Sequence, residues 1–179
     1  MGTKQAYPTK SRHRYCLPAR RVPRAAYVPK GRTLLLVDLE NLAGGPHVPL
    51  DSMLSSVAQF SRLSGLAPGD LAVVGVNPGL LSQASQLMPR ARLVTRAGPD
   101  GADLALLRVV HDLLWVAQRF DRVVIGSGDG IFSNVAQGLR GLGIAVGVVA
   151  PEGSISTRLV RSVDFVRTIA LTRCQPEVA

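Results

Sequence analysis

The residues best placed to do chemistry are carboxylates that follow apolar runs. In "TLLLVDLENLAGGP", Thr33 to Pro46, four apolar residues lead straight into Asp38. Asp129 follows a second such run in "IGSGDGIF", and Asp103, with Asp100 before it, opens a helical pattern in "RAGPDGADLALL". A continuous apolar run reads as a strand buried on both faces. An unpaired buried carboxylate is costly to desolvate, so Asp38 either meets something cationic or marks where the strand emerges into water. Singly, Asp103 could be a first-turn acid favoured by the helix dipole, and Asp129 a turn residue between glycines. Three acids at strand-to-helix junctions of one sheet edge point instead to a shared site. Ionised carboxylates brought close together either take up protons or hold a divalent cation between them. Mg²⁺ or Mn²⁺ suits a few carboxylates plus water and substrate phosphate. Such a centre serves phosphodiester cleavage, where the metal acidifies a bound water and stabilises charge on the phosphate oxygens.

The elements that must position these acids alternate along the chain. Strands are predicted at Thr33–Leu39, Leu71–Val76, Ala91–Thr95, Arg122–Gly126, Ile144–Ala150 and Phe165–Ala170. Between them, Asp51 to Leu63 carries Leu54, Val57, Ala58 and Phe60 at helical spacing, with Asp51 or Ser52 as cap. "PGLLSQASQLM" reads as a short helix. Ala102 to Phe120 reads as one long helix, polar at Arg108, His111, Asp112, Gln118 and Arg119 and apolar at Leu104, Leu107, Val110, Leu114 and Ala117. Phe132 to Leu142 is a helix closed by Gly143, and Ser156–Ser162 another. Strands separated by helices predict an α/β fold, a mostly parallel sheet of five to six strands covered on both faces. In such sheets ligands bind beyond the carboxyl ends of the strands, where strand order reverses. First and fourth strands side by side would bring Asp38 and Asp129 to one crevice.

Charge divides the chain into two parts. Residues 1 to 32 carry nine basic residues and no acid, and the 12 that remain balance all 12 acids. The arm (1–31) has no periodicity and four prolines, so it is expected to be disordered alone. Arg12, Arg14, Arg20, Arg21, Arg24, Lys30 and Arg32 are candidates to grip RNA phosphates, with Tyr7, Tyr15 and Tyr27 available to stack on bases. A solubilising tail or an organelle transit peptide has the same composition. A single domain (32–172) and a short tail (173–179) follow. No apolar run reaches the roughly 18–20 residues of a membrane span, and the first residues show no apolar stretch of a secretory signal. Cys16 and Cys174, one near each end, read as free thiols, which suits a reducing cytoplasm.

"LLLVDLENL", "GADLALL" and "VVIGSGDGIF" resemble the signature segments of the NYN domains, a branch of the PIN-like ribonuclease superfamily. "LRGLGIAVGVVAPEGSISTRLVRSVDFV" resembles their closing segment, including the Ser154 loop and Asp164. The resemblance covers about Arg32 to Thr172. It implies a PIN-like three-layer α/β/α sandwich and metal-dependent cleavage of RNA, single-stranded RNA being the expected partner. Asp38, Asp103 and Asp129 would form the acidic centre. It further implies that Asn41 orients Asp38 or holds a metal-bound water, and that Ser127 donates to phosphate or caps a helix. This chain departs from the pattern twice. Ile131 stands where many relatives carry a second acid, and Asp100 where many carry lysine, so Asp100 is a further candidate ligand. A site short of an acid fits a second reading, an RNA-binding or regulatory module of weak or no activity; under either reading a homo-oligomer or a protein partner is a further expectation.

Other chemistries fit less well. "DLE" and "GDG" resemble motifs of haloacid dehalogenase phosphatases, but Glu40 stands where their second Asp is needed and no lysine follows Lys30. "GSGDG" is not G-x-G-x-x-G, and its acid would repel a pyrophosphate unless a metal intervened. No Ser–His or Cys–His nucleophile pair is evident.

Overall fold

The computed structural model describes residues 31–45 and 47–171. The expectations for the arm up to Lys30, and for the tail, lie outside the described residues. Six strands form one sheet: β1 (Thr33–Asp38), β2 (Leu71–Val76), β3 (Arg92–Thr95), β4 (Arg122–Gly126), β5 (Ala145–Pro151) and β6 (Phe165–Ile169), in the order β3-β2-β1-β4-β5-β6. Every pairing is parallel, Leu36 lying beside Val73 on one side and Ile125 on the other. The helices are α1 (Leu39–Ala43), α2 (Leu50–Ser64), α3 (Leu81–Leu87), α4 (Gly101–Val109), α5 (Leu113–Arg119), α6 (Ser133–Gly141) and α7 (Thr157–Val160), with single 3₁₀ turns at Pro78–Leu80 and Gly130–Phe132.

Alternation along β1 builds both outer layers. Leu34 and Leu36 face one core with Leu106, Val110, Val116, Phe132, Leu139 and Leu159, under α4 to α7. Leu35 and Val37 face the other, with Leu42, Val57, Phe60 and Ala84, under α1 to α3. β1 is buried along its whole length, the cost of its backbone polar groups offset by ladders on both sides. The chain winds from β1 outward to β3, crosses back, and winds from β4 outward to β6. The reversal opens a crevice between β1 and β4 at their carboxyl ends. This is the α/β sandwich expected, with an all-parallel sheet.

The helices differ from expectation in three places. The first strand ends at Asp38, and Leu39 already belongs to α1, a five-residue helix closed by left-handed Gly44 and too short to show a periodic stripe. On α2 the buried stripe is Met53, Val57, Phe60 and Ser64, while Leu54 is 54% exposed. Pro49 precedes that helix, with no side-chain cap from Asp51 or Ser52. The long helix is broken at 110–112: the Asp112 carboxylate accepts the Trp115 N–H at 2.9 Å and starts α5 afresh. The new axis leaves Leu114 62% exposed, away from the face expected for it. Among the described residues no helix is long and apolar enough to cross a membrane.

Candidate functional site

Asp38 ends β1 and caps α1. Its Oδ1 accepts the backbone N–H groups of Glu40 (3.1 Å) and Asn41 (3.2 Å), the usual way a short polar side chain satisfies orphan donors at a helix start. Asp103, in the first turn of α4, comes from the other face of the sheet and hydrogen-bonds the Asp38 carboxyl. Both residues are 6% exposed, and Asp103 Oδ1 is buried without a hydrogen-bond partner. Asp129 follows β4, exposed, its Oδ1 accepting the Ile131 N–H at 2.8 Å.

Two buried carboxylates in contact cannot both carry charge cheaply. Burial first, then the charge of Asp38 and its hydrogen bond, pushes the Asp103 carboxyl up to about 8, with Asp129 and Asp100 adding repulsion. Asp38 is also raised by burial, opposed by the Asn41 N–H, by Asp103 and by the Glu40 N–H. The pair therefore shares a proton near neutral pH. Around it lies an open crevice of about 570 Å³, to which Glu40, Asp100, Asp129 and Glu152 add carboxylates. Among the described residues no lysine, arginine or histidine lines it. The only ion pair among the described residues, Arg140 with Asp164, lies elsewhere and braces β5 through the Val146 N–H.

A divalent ion fits this chemistry in the open manner of Mg²⁺ or Mn²⁺, with one or two direct carboxylates and several waters. A cation would replace the shared proton and satisfy the orphaned Asp103 oxygen. A closed cage is a different matter. Among the described residues no three His, Cys, Asp or Glu side chains are gathered closely enough to hold a metal by themselves.

The turn that carries Asp129 is tightly packed. The Gly128 N–H donates to Asn41 Oδ1 at 2.9 Å, and its carbonyl accepts the Ser156 N–H at 2.8 Å. A Cβ at Gly128 would stand 2.4 Å from the Ser154 carbonyl oxygen, so no side chain fits there. With strand-end acids on an all-parallel sheet, a glycine turn locked against the first acid's helix and a serine loop closing over it, comparison with known families becomes decisive. Residues 32–171 match the NYN domain.

The chain belongs to the NYN domain family.

NYN domains fall within the PIN-like nuclease superfamily. No curated protein sequence matches the chain significantly. Among solved structures it is similar to a protein of unknown function from Vibrio parahaemolyticus RIMD 2210633. The two share 20% identity with a TM-score of 0.56, over 77% of this chain and 92% of that one, which supports the fold alone.

In this NYN domain the supporting residues act largely through the backbone and the turn. Asn41 orients Asp38 through its backbone N–H, and its side-chain carbonyl oxygen ties α1 to the Asp129 turn. Ser127 is fully buried and its hydroxyl oxygen accepts the Asp129 N–H at 3.2 Å. It braces the turn and does not face the crevice. Ile131 packs its side chain against the core, leaving no second acid there. Asp100 lines the crevice in a left-handed conformation (φ 52°) with its side chain unused for capping. Arg32 lies at the opposite end of β1, where its Nε donates to the Gly69 carbonyl and its guanidinium covers Phe120. The structure therefore does not bring it to the acids.

Glu40 and Glu152 were missed. Burial and then Asp38 raise the Glu40 carboxyl, while His47 lowers it. Glu152 follows β5 as Asp129 follows β4, so the strand-end rule applied once more would have found it. Leu171 closes the crevice beside Gly44.

Proposed function

We propose that this NYN domain is a metal-dependent ribonuclease that hydrolyses phosphodiester bonds of single-stranded RNA. The observation that carries the reading is the Asp38–Asp103 pair, two buried carboxyls in a crevice lined by acids and, among the described residues, by no cationic side chain. Asp38 and Asp103 would hold Mg²⁺ or Mn²⁺, with Asp129 and Asp100 across the rim. Bound there, such an ion would supply Lewis-acid stabilisation of the phosphate and a more acidic water. The chain's own contribution is positional. The α1 N–H groups fix one Asp38 oxygen, and the Gly128 turn, held by Asn41, fixes Asp129. Asp129 Oδ2 is the oxygen left to receive a proton from an attacking water, and geometry of this kind contributes by orientation before any proton moves.

Purified protein incubated with a single-stranded RNA in Mn²⁺ or Mg²⁺ should release shorter products. Chelator should stop the reaction, and Asp38→Asn and Asp129→Asn should each lower the rate at least about 100-fold, the usual scale for a lost acid–base or metal-holding group. Product formed equally by the Asp129→Asn protein would mark a contaminant.

Ile131 favours a second reading, an RNA-binding or regulatory module. With an apolar side chain where a further acid would stand, a second metal would have few ligands. Metal binding and RNA binding without any product would select this reading.

A further inference from the structure

An acid-lined crevice repels the polyanion it is proposed to cut, so cationic surface must lie beside it to draw the strand in. The body carries such a surface on the sheet edge formed by β3. There a groove of about 670 Å³ lies between β3 and α4, lined by Arg92 and Arg96 from one wall and Arg108 from the other, with no acid among its lining residues. All three arginines are exposed, and none has an ion-pair partner among the described residues. Arg92 and Val94 share one face of the strand, as alternate residues do, and Arg96 follows directly after its last residue, Thr95. Four residues apart, the two arginines are separated by up to about 14 Å of chain, enough to meet different phosphates. Leu104 and Ala105 give the groove an apolar floor.

The groove and the crevice meet at the start of α4, where Leu104 lines the groove and its neighbour Asp103 lines the crevice. Gly101 opens α4 against Arg96 so closely that a Cβ would lie 2.1 Å from the Arg96 carbonyl oxygen, and Asp103 is two residues further on. Charged side chains on an edge strand commonly just block pairing with another sheet. That role explains Arg92 and Arg96, but not Arg108 facing them from a helix.

We infer that Arg92, Arg96 and Arg108 form a phosphate-binding groove that guides the backbone of single-stranded RNA along β3 into the acidic crevice. Guanidinium groups suit this because they meet phosphate oxygens with two donors at once. The inference rests on the ribonuclease reading for its ligand, and it is tested without cleavage.

Full-length protein is titrated with a fluorescent single-stranded RNA in chelator across a range of salt concentrations. The triple variant R92A/R96A/R108A should bind more weakly, its log–log salt slope shallower by about 2, near the 0.7 per phosphate contact of single strands. The R92K/R96K/R108K variant should keep most of the slope, because charge rather than fold is being read. R62A/R90A/R161A, removing three exposed arginines outside the groove, should match wild type. Equal loss in both alanine triples, or no loss in either, would overturn the groove. Loss of slope in a protein that cuts no RNA would remove the catalytic reading and leave the groove standing.

Discussion

Replacing Asp103 by Asn should stabilise the metal-free protein at pH 8 and change it little at pH 4. The Asp103 carboxyl rises from its ordinary 3.8 to about 8 on folding. The native state therefore holds a proton that the unfolded chain releases, and its stability falls as pH climbs between those values. Asn carries no such proton, so melting scans from pH 4 to 8 should be flatter for the variant. Mn²⁺ should reverse the ranking, since a ligand at about 100 times its Kd adds about 2.7 kcal/mol. That is roughly 5–10 °C for a domain of this size. A wild-type melting point indifferent to both pH and Mn²⁺ would remove the shared proton and the cation site together. Asp38 and Asp129 were legible as candidates because each stands just after an apolar run, and Asp103 because it opens a helical pattern. The role of Ser127 was not: whether a hydroxyl faces solvent or its own turn depends on its side-chain rotamer, and here it accepts the Asp129 N–H.

Strands were easier to read than helices, and for a physical reason. A strand buried on both faces, as β1, β2, β4 and β5 are, needs an unbroken apolar run whose limits show directly. A helix reveals itself by one stripe, and a change of axis hides inside a pattern that still looks periodic. The break between α4 and α5 is the case in point, since the Asp112 cap competes with the helix that would otherwise pass through it. Asp112→Ala should cost about 1 kcal/mol through the lost cap. It should lower the melting point by about 2–4 °C and leave metal binding intact, because Asp103 belongs to the helix before the break. The β3 groove was invisible for another reason: Arg92 and Arg108 become neighbours only once β3 is known to be an edge strand with α4 against it.

At the scale of the molecule, the charge of the arm can be tested apart from that of the groove. Removing Met1 to Lys30 should weaken RNA binding and flatten its salt dependence while the melting point holds. Affinity unchanged at low salt would rule the arm out as an anchor. The place where this arm joins the body has a further consequence. Arg32 sits at the foot of β1, six residues and about 20 Å from Asp38, whereas Leu171 lies at the mouth of the crevice. RNA held by the arm would be tethered to the protein, so the arm would raise the local concentration of substrate, as linked binding modules do for one another. A fusion at the amino end should spare the crevice, while one placed directly after Leu171 would crowd its entrance.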